Sequence, residues 1–373
     1  MLHICSDYCR QRLYSELCKS MSCLGVEQVM YCATRTESEA AVALKNHDGN
    51  YEVLTHPILR PRHRLLFRAK IDRVAHDIKQ HVELENIDLV HAHFLFSDGA
   101  AALQLKRDVG IPFVVAVRNT DLNVFMKYRP DLRGTMRDVV MESSKVVCLT
   151  PAYGKRFAES VDGRTRSELE QKIEIIPNGI RPNWFSTELA ECPGGESLKI
   201  ICVQDGSRNK NVRGLVSAAS ILARSQRVHL TIVGASPKAS ELTHDEPQLQ
   251  IELVGRVDCW RQLAGLYRCH HVFAMPSFHE SFGLVYIEAM SQGLPIVHSR
   301  GEGPSGLVES GSVAAEVDPR DPQAIADGIL IVFQHAFELR HRCRQEARRF
   351  CWPVVADRYS ALYRRLMRES DRS

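Results

Sequence analysis

Short apolar runs alternate with amphipathic segments along most of the chain. Runs with the length and apolarity of buried strands occur at residues 2–5, 29–32, 87–91, 113–117, 145–149 and 173–176, and again at 199–203, 229–234, 251–255 and 271–275. Apolar positions with helical spacing lie between several of these runs, as at 14–23, 212–223 and 322–336. Strands that alternate with helices predict α/β domains built on parallel sheets.

The chain is too long for a single hydrophobic core. Its 373 residues fit two domains of ordinary size, and the strand pattern restarts at residue 199 after a segment rich in proline and glycine. We therefore predict a first domain at 1–180, an interdomain linker at 181–196 where hinge motion would occur, and a second domain at 197–350. An apolar stripe near the end of the chain is typical of helix packing; it comprises Phe350, Trp352, Val355, Tyr359, Leu362, Tyr363 and Leu366.

The most informative segment is residues 275–295, M-P-S-F-H-E-S-F-G-L-V-Y-I-E-A-M-S-Q-G-L-P. It begins as the end of a buried strand and continues as a loop that contains a proline and a serine. Gly283 then opens a run of good helix formers, which Gly293 and Pro295 stop. The pattern predicts a strand, a loop and a helix.

The start of this helix has the properties of a phosphate site. A loop that turns at glycine into a helix presents unpaired backbone N–H groups and the positive end of the helix dipole, and here Phe282, Gly283 and Leu284 carry those N–H groups. Glu288, about one turn further along, could accept hydrogen bonds from both hydroxyls of a ribose. Glu280 in the loop is then available to hold the group attached to the phosphate.

The sequence E-S-F-G-L-V-Y-I-E, preceded by P-S and followed by A-M-S-Q-G-L-P-I-V, resembles the donor-binding signature of the retaining glycosyltransferases of family 4. The resemblance implies the GT-B fold, in which two Rossmann-like domains face each other across a cleft and a C-terminal helix, here 351–373, crosses back to the first domain. It also implies transfer of a sugar from a nucleoside diphosphate donor to a glycan or lipid-linked acceptor with retention, without a metal or other cofactor. Such enzymes act in exopolysaccharide, capsule or lipopolysaccharide biosynthesis at the bacterial cell envelope.

The resemblance assigns further roles in the second half. The family's phosphate-binding lysine corresponds to Lys210, whereas its arginine position holds Gln204 or Asp205, so that Arg208 is a candidate replacement. The family's base-binding backbone corresponds to Arg256 and Val257. The expected donor-binding set also includes Ser281 in the central motif and Asn178 in the P-N-G-I crossing between domains.

The first half matches the family less closely. Ser6, Asp7 and Tyr8 stand where the first loop of the family often has a glycine pair. The strand at 87–91 ends in H-A-H-F, which places His91 and His93 on one side of an extended chain. We expect no metal site without a neighbouring third ligand, and His93 is either a polar group of the cleft or a structural histidine.

R-N-T-D follows the strand at 113–117. Arg118 stands where family members often have a histidine, and its guanidinium could stabilise the diphosphate or an acidic acceptor. The alternative is a structural ion pair between Arg118 and Asp121. The candidate catalytic residues are therefore Glu280, Lys210, Arg208, Arg118 and His93.

Charge and cysteine usage limit the possible partners. The 48 basic and 45 acidic side chains give a formal charge of +3, which provides no electrostatic case for nucleic acid binding. The 12 cysteines include no C-x-x-C pair, which favours reduced thiols in a cytoplasmic protein. We expect neither a signal peptide nor a membrane-spanning helix.

Residues 58–70 could contact an anionic membrane surface. Six cationic or titratable basic side chains alternate there with leucines and a phenylalanine, as in a basic amphipathic helix at the inner face of the cell membrane. The alternative is a solvated helix face whose arginines pair with Asp72 and Asp77.

Two other functions are compatible with the departures from the family pattern. The chain could be a non-catalytic partner that binds nucleotide sugars, or a different enzyme of the same fold, such as a nucleotide-sugar epimerase or a pyridoxal-phosphate phosphorylase.

Overall fold

The computed structural model describes residues 1–45, 47, 49–189, 194 and 196–370, and the chain forms two compact units. The first unit consists of Met1–Leu149, Gly154–Gly179 and Trp352–Ser373, and the second consists of Thr150–Tyr153 and Ile180–Cys351. The second unit thus includes five residues of the predicted first domain, Thr150–Tyr153 and Ile180, and all the described residues of the predicted linker. The predicted linker residues 190–193 and 195 lie outside the described part of the chain.

The first unit is an α/β layer structure around a parallel sheet. Its strands are β1 Leu2–Ile4, β2 Val29–Ala33, β3 Glu52–His56, β4 Val90–Ala92, β5 Phe113–Ala116, β6 Lys145–Cys148 and β7 Ile173–Ile175. The helices that precede β8 are α1 Arg12–Ser22, α2 Glu37–Lys45, α3 Phe67–His81, α4 Ser97–Val109, α5 Met126–Tyr128, α6 Arg133–Glu142, α7 Pro151–Glu159 and α8 Gly163–Lys172, and all but the first three residues of α7 belong to the first unit. The sheet order is β3-β2-β1-β4-β5-β6-β7, so the strand order reverses between β1 and β4.

The second unit repeats this plan with six strands. They are β8 Ser197–Gln204, β9 Arg227–Gly234, β10 Leu249–Val254, β11 Val272–Met275, β12 Ile296–Ser299 and β13 Ala314–Val317. Its helices are α9 Val212–Ala223, α10 Trp260–Arg268, α11 Leu284–Ser291, α12 Pro322–Gln334 and α13 Ala336–Arg348. The order β10-β9-β8-β11-β12-β13, all parallel, reverses between β8 and β11. Ligands of open parallel sheets bind beyond the carboxyl ends of the strands at such a reversal.

The last helix, α14 Trp352–Ser370, belongs to the first unit. Its buried side chains share one core cluster with α1 and with strands β5 and β6; the cluster includes Leu17, Met21, Val114, Val147, Trp352, Tyr359 and Tyr363. Gly179 allows this packing, because a Cβ there would lie 2.4 Å from the Trp352 ring. The predicted apolar stripe is therefore a packing surface, except that Phe350 lies in the second unit.

The structure confirms the predicted fold class of two Rossmann-like domains with parallel sheets, and it corrects one helix. Residues 58–70 do not form a single amphipathic helix: Pro61–Arg64 is a short 3-10 turn, and α3 begins only at Phe67. Proline fits the first turn of a helix but not its interior, and Pro61 accordingly opens the short turn. None of the described helices combines the length and apolarity that a bilayer crossing requires.

Candidate functional site

Two loops of the second unit meet where its strand order reverses. One follows β8 and ends in the 3-10 turn Arg208–Lys210, and the other connects β11 to α11 and contains the central motif. The Lys210 Nζ lies 2.6 Å from Glu280 Oε2, and the two side chains are only 16% and 13% exposed. A half-buried ion pair therefore joins the two residues that sequence analysis selected for phosphate and sugar.

Asn211 fixes Lys210 next to the central motif. It is the only described non-glycine residue with a positive φ, 53°, and it caps the start of α9 through a hydrogen bond from the Gly214 N–H. Its side-chain amide donates to the backbone oxygens of Pro276, at 3.1 Å, and Pro319, at 2.6 Å. Asparagine tolerates this left-handed conformation better than most residues, and its side chain links three segments.

The backbone around Glu280 is held by two side chains that sequence analysis did not identify. Asn209 donates to the His279 oxygen at 2.7 Å and accepts from the His279 N–H at 3.0 Å. Glu302, in the glycine-rich loop after β12, accepts from the Glu280 N–H at 2.7 Å, and the adjacent Gly303 N–H donates to the Glu280 oxygen at 2.7 Å. The backbone that carries the Glu280 side chain is thus held by neighbouring loops.

The start of α11 presents free donors. Gly283 adopts φ 74° and the helix begins at the next residue; a Tyr286 hydrogen bond to the Met275 oxygen anchors the first turn to β11. Within the described chain, the backbone N–H groups of Phe282, Gly283 and Leu284 donate to no protein acceptor. These are the three N–H groups that the sequence predicted as phosphate donors.

Glu288 lies on the second turn of α11 and is half-buried. Its carboxylate accepts no hydrogen bond and forms no ion pair with any residue that the structure describes. Burial raises the pKa of Glu288 from 4.5 to about 7, and the positive charge of Arg181 opposes that rise. A carboxylate without protein partners in such surroundings can accept hydrogen bonds from a ligand.

The remaining predicted donor-site residues are less enclosed. Arg208 is exposed and forms no ion pair with the residues that the structure describes, and Arg256 is exposed and paired with Asp258 at 2.7 Å. Gln204, in the position of the expected arginine, is buried; its amide donates to the Ala235 oxygen and accepts from the Gly206 N–H. Gln204 therefore has a structural role in the loop after β8.

The loop after β5 in the first unit holds Arg118. Arg118 is 7% exposed, and its guanidinium donates to the His93 oxygen at 3.3 Å and to Asn178 Oδ1 at 3.1 Å. Its Cζ also lies 5.8 Å from the centre of the Tyr14 ring. Asn178, expected at the donor, thus contacts Arg118 within the first unit.

Asp121 does not accept a hydrogen bond from the Arg118 guanidinium, as the expected ion pair would require, but from backbone N–H groups. The Asp121 carboxylate accepts from the backbone N–H of Arg118 at 2.8 Å and of Leu95 at 3.2 Å. Burial raises the pKa of Asp121 to about 6, and these N–H donors oppose the rise. Asp121 therefore stabilises the loops beyond β4 and β5 rather than the guanidinium.

His93 is fully buried in the first unit, as are His91 and His3. His3 Nδ1 lies 3.0 Å from His93 Nε2, and His91 Nδ1 lies 2.7 Å from the Tyr363 hydroxyl. Burial lowers the pKa of all three imidazoles, that of His3 to about 3, so the rings are neutral near pH 7. This location favours the structural alternative for the His93 side chain over direct contact with a substrate.

The loop after β1, which lacks the glycine pair of the family, is held by another residue that sequence analysis did not identify. Asp98, in the first turn of α4, is buried and accepts from the Ser6 N–H at 3.1 Å. Burial raises the pKa of Asp98 to about 7. Tyr8 is buried as well, and its hydroxyl lies 2.8 Å from that of Tyr51.

Two family models together match most of the chain. The model described as Glycosyltransferase Family 4 matches residues 11–184, and the model described as Glycosyl transferases group 1 matches residues 193–350. The chain belongs to glycosyltransferase family 4. The enzyme is therefore a glycosyltransferase, and the match to the second model spans the whole Lys210, Glu280 and Glu288 site.

Similar proteins agree with this assignment. A D-inositol 3-phosphate glycosyltransferase of Arthrobacter sp. is 27% identical over 81% of this glycosyltransferase and 76% of its own length. An N-acetyl-alpha-D-glucosaminyl L-malate synthase of Bacillus anthracis is 23% identical over 83% and 81%. A sucrose-phosphate synthase from Thermosynechococcus elongatus shares the fold, with a TM-score of 0.72, 19% identity and 99% of both chains covered.

Signals for the residues that sequence analysis missed were present but weak. Asn209 and Asn211 flank Lys210 in Q-D-G-S-R-N-K-N-V, and Glu302 stands between glycines in H-S-R-G-E-G-P-S-G. Asparagine before a helix often caps it, which could have identified Asn211. The contacts of Asn209 and Glu302 with the central motif join residues 70 and 22 positions apart, and no local pattern encodes such contacts in this glycosyltransferase.

Proposed function

We propose that this glycosyltransferase moves a sugar from a nucleoside diphosphate donor to an acceptor hydroxyl with retention of configuration. The observation that carries the proposal is the arrangement in the second unit of the Lys210 and Glu280 pair, the open N–H groups at the start of α11 and the unpartnered Glu288 carboxylate. Lys210 and the N–H groups match the diphosphate of one extended ligand, Glu280 matches its transferred sugar, and Glu288 matches its ribose.

Each group would contact one part of the donor. The Phe282, Gly283 and Leu284 N–H groups and the Lys210 ammonium would bind phosphate oxygens. Glu280 would accept hydrogen bonds from sugar hydroxyls, and Glu288 would accept those of the ribose diol. Donor binding then separates the ion pair, because the lysine and the glutamate each gain a partner from the ligand.

The chemistry requires positive charge at the leaving group. The bond between the anomeric carbon and the phosphate oxygen breaks, and negative charge accumulates on the nucleoside diphosphate in the transition state. Lys210 and the N–H groups are positioned to stabilise that charge without a metal, and the exposed Arg208 could approach the same oxygens. The acceptor oxygen forms the new bond to the anomeric carbon, and its proton passes to the leaving phosphate.

An acidic acceptor is favoured by two observations. The names of two relatives include D-inositol 3-phosphate and L-malate, which are both anionic hydroxyl compounds. Arg118 is a buried cation that donates to the His93 oxygen and to Asn178, and a guanidinium can bind carboxylate or phosphate in a bidentate manner. We infer that Arg118 orients such an acceptor, whether a small molecule or the phosphorylated end of a glycan or lipid-linked chain.

A contact with anionic membranes is a second part of the proposal. Leu65 and Leu66 are 82% and 54% exposed between the 3-10 turn and α3. None of the flanking arginines, Arg60, Arg62, Arg64 and Arg68, forms an ion pair with a described residue, and Asp77 binds His56 and Tyr31 instead. Exposed leucines beside unpaired arginines suit insertion among anionic headgroups.

The test of the proposal combines donor binding and product analysis. Nucleoside diphosphates and their sugars are screened by thermal shift, and the donor that binds is incubated with acceptors that contain phosphate, carboxylate or neither. We expect a transfer product with the donor's anomeric configuration by NMR, and loss of transfer in both Lys210→Ala and Glu280→Gln. Donor binding without transfer or donor hydrolysis would favour the non-catalytic alternative, and an inverted product would refute retention.

Vesicle sedimentation tests the membrane contact separately. We expect the enzyme to sediment with vesicles that contain anionic lipid and not with neutral vesicles, and Leu65→Asp/Leu66→Asp to remain in the supernatant. Binding that is unchanged in this variant would refute the proposed surface.

A further inference from the structure

Three buried histidines lie side by side at the centre of the first sheet. His3 of β1 is the register partner of His91 on the adjacent β4, and His93 follows on the same face of the sheet two residues later. All three are 0% exposed. Each places one ring nitrogen within 4.8 Å of a ring nitrogen of the other two, which supplies the third ligand that the sequence alone did not reveal.

The protonation of His3 follows from Gln28. The Gln28 amide nitrogen donates to the Cys18 oxygen at 2.9 Å and to Ser22 Oγ at 3.0 Å, so its amide oxygen faces His3 Nε2 at 3.0 Å. His3 Nε2 must therefore carry the hydrogen, and in a neutral ring Nδ1 is a lone pair. That lone pair points to His93 Nε2 at the centre of the cluster.

The other two histidines leave nitrogens without partners. His91 uses Nδ1 for the Tyr363 hydroxyl, and His91 Nε2 has no hydrogen bond in the described structure. His93 Nδ1 also has no partner there. Buried polar atoms normally have partners, and the orphaned His91 Nε2, on a ring that adjoins His3 and His93, indicates a missing ligand.

We propose that His3 Nδ1, His91 Nε2 and His93 Nε2 bind one divalent transition metal, of which Zn²⁺ fits best. Neutral imidazoles are common zinc ligands, and a zinc site often completes its tetrahedron with a water molecule. Zinc to nitrogen distances of about 2.0–2.1 Å place tetrahedral ligand nitrogens roughly 3.3 Å apart. The 3.0 Å between the His3 and His93 nitrogens needs only a small opening to reach that value.

Proton balance and outer hydrogen bonds are compatible with this site. When the metal replaces the hydrogen between His3 and His93, the His93 proton moves from Nε2 to the unpartnered Nδ1, so no proton is released. The outer nitrogens of His3 and His91 keep Gln28 and the Tyr363 hydroxyl as acceptors, which is the usual support of metal-bound histidines. The metal would tie β1 and β4 to α14 and has no part in the transfer reaction.

Metal content of the protein as produced provides the test. The enzyme is expressed in minimal medium with either Zn²⁺ or Co²⁺, so that metal is present while the buried site forms, and is dialysed against a chelator. We expect about one metal ion per chain by elemental mass spectrometry, and the visible absorption bands of tetrahedral cobalt in the sample produced with Co²⁺. Folded protein with less than about 0.1 metal per chain, or without the cobalt bands, would overturn the proposal.

Two variants separate this site from other histidines and from misfolding. Tyr363→Phe keeps the ring and removes only the outer hydrogen bond of His91, and we expect metal to be lost to a chelator about 10- to 100-fold more readily. The control His56→Asn/His81→Asn removes the other described cluster with metal-ligand geometry, His56, Asp77 and His81, and we expect full metal content. Metal that is retained in Tyr363→Phe with unchanged affinity, or lost in the control, would place the metal elsewhere.

Discussion

Replacement of Lys210 by alanine tests the most specific claim about the donor site. The ammonium lies 2.6 Å from Glu280 in surroundings where both side chains are mostly buried. At an effective dielectric constant near 20, a unit charge about 4 Å from a phosphate charge contributes roughly 4 kcal/mol, and part of this is already offset by the ion pair with Glu280 in the free enzyme. We expect a loss of about 2–4 kcal/mol of transition-state stabilisation, which lowers kcat/KM roughly 30- to 1,000-fold.

Arg208→Ala is the matched comparison, because Arg208 is in the same 3-10 turn but is exposed and without an ion pair among the described residues, and we expect it to cause the smaller loss of kcat/KM. Initial rates with saturating acceptor give kcat/KM for the donor, and thermal unfolding reports the fold. Glu280→Gln should lower kcat/KM as well. In the double variant, the loss of transition-state stabilisation should be smaller than the sum of the two single losses, because the residues interact directly.

A folded Lys210→Ala enzyme whose kcat/KM is within about threefold of the wild type would refute the reasoning. The same conclusion would follow if Arg208→Ala caused the larger loss, since the phosphate charge would then be stabilised from the exposed side of the loop. A loss confined to KM would show that Lys210 binds the donor without distinguishing the transition state.

Four further predictions concern Glu288, Gly283 and the core of the first unit. Donor affinity should fall below pH 7, because protonated Glu288 cannot accept two ribose hydrogen bonds; calorimetric titration from pH 5.5 to 8 should show this dependence in the wild type and not in Glu288→Gln. The raised pKa of Glu288 should also make the free energy of unfolding decrease as pH rises from 4.5 through 7, which urea unfolding would reveal. Gly283→Ala should weaken donor binding about tenfold, since φ 74° is strained for alanine and its Cβ would lie 2.6 Å from the Tyr286 ring; unchanged affinity would contradict this role. Leu366→Ala should destabilise the first unit by about 2–4 kcal/mol in urea unfolding, whereas a change at exposed Phe337 should have little effect.

Most of the fold could be predicted because its signals are local. The helix at 212–223 has the predicted bounds, and most predicted strands lie within a few residues of those observed. Gly283 and Gly293 bracket α11, so the sequence alone assigns Glu280 to a loop and Glu288 to a helix. The prediction of one helix at 58–70 was wrong because it followed the amphipathic spacing and gave no weight to Pro61, which opens a separate 3-10 turn.

The site was only partly predictable because several contacts depend on tertiary structure. Arg118 and Asp121 are close in sequence and opposite in charge, yet the carboxylate binds backbone N–H groups and the guanidinium binds Asn178, 60 residues away. His3 meets His93 across 90 residues because β1 and β4 are neighbours in the sheet. Strand order determines such pairs, and neither composition nor periodicity encodes it.

The membership of α14 in the first unit has a consequence for biosynthesis. Ribosomes deliver a chain from its N-terminus, and domains generally fold as they emerge. Here the core around Leu17, Met21 and Val114 lacks Trp352, Tyr359 and Tyr363 until the second unit has been translated. The unit whose synthesis begins first is therefore the last to complete its core. Until then the apolar side chains that pack against α14 are exposed to chaperones on the nascent chain. A stop codon directly after Cys351 would remove Trp352, Tyr359 and Tyr363 from that core and leave the sequence of the second unit intact.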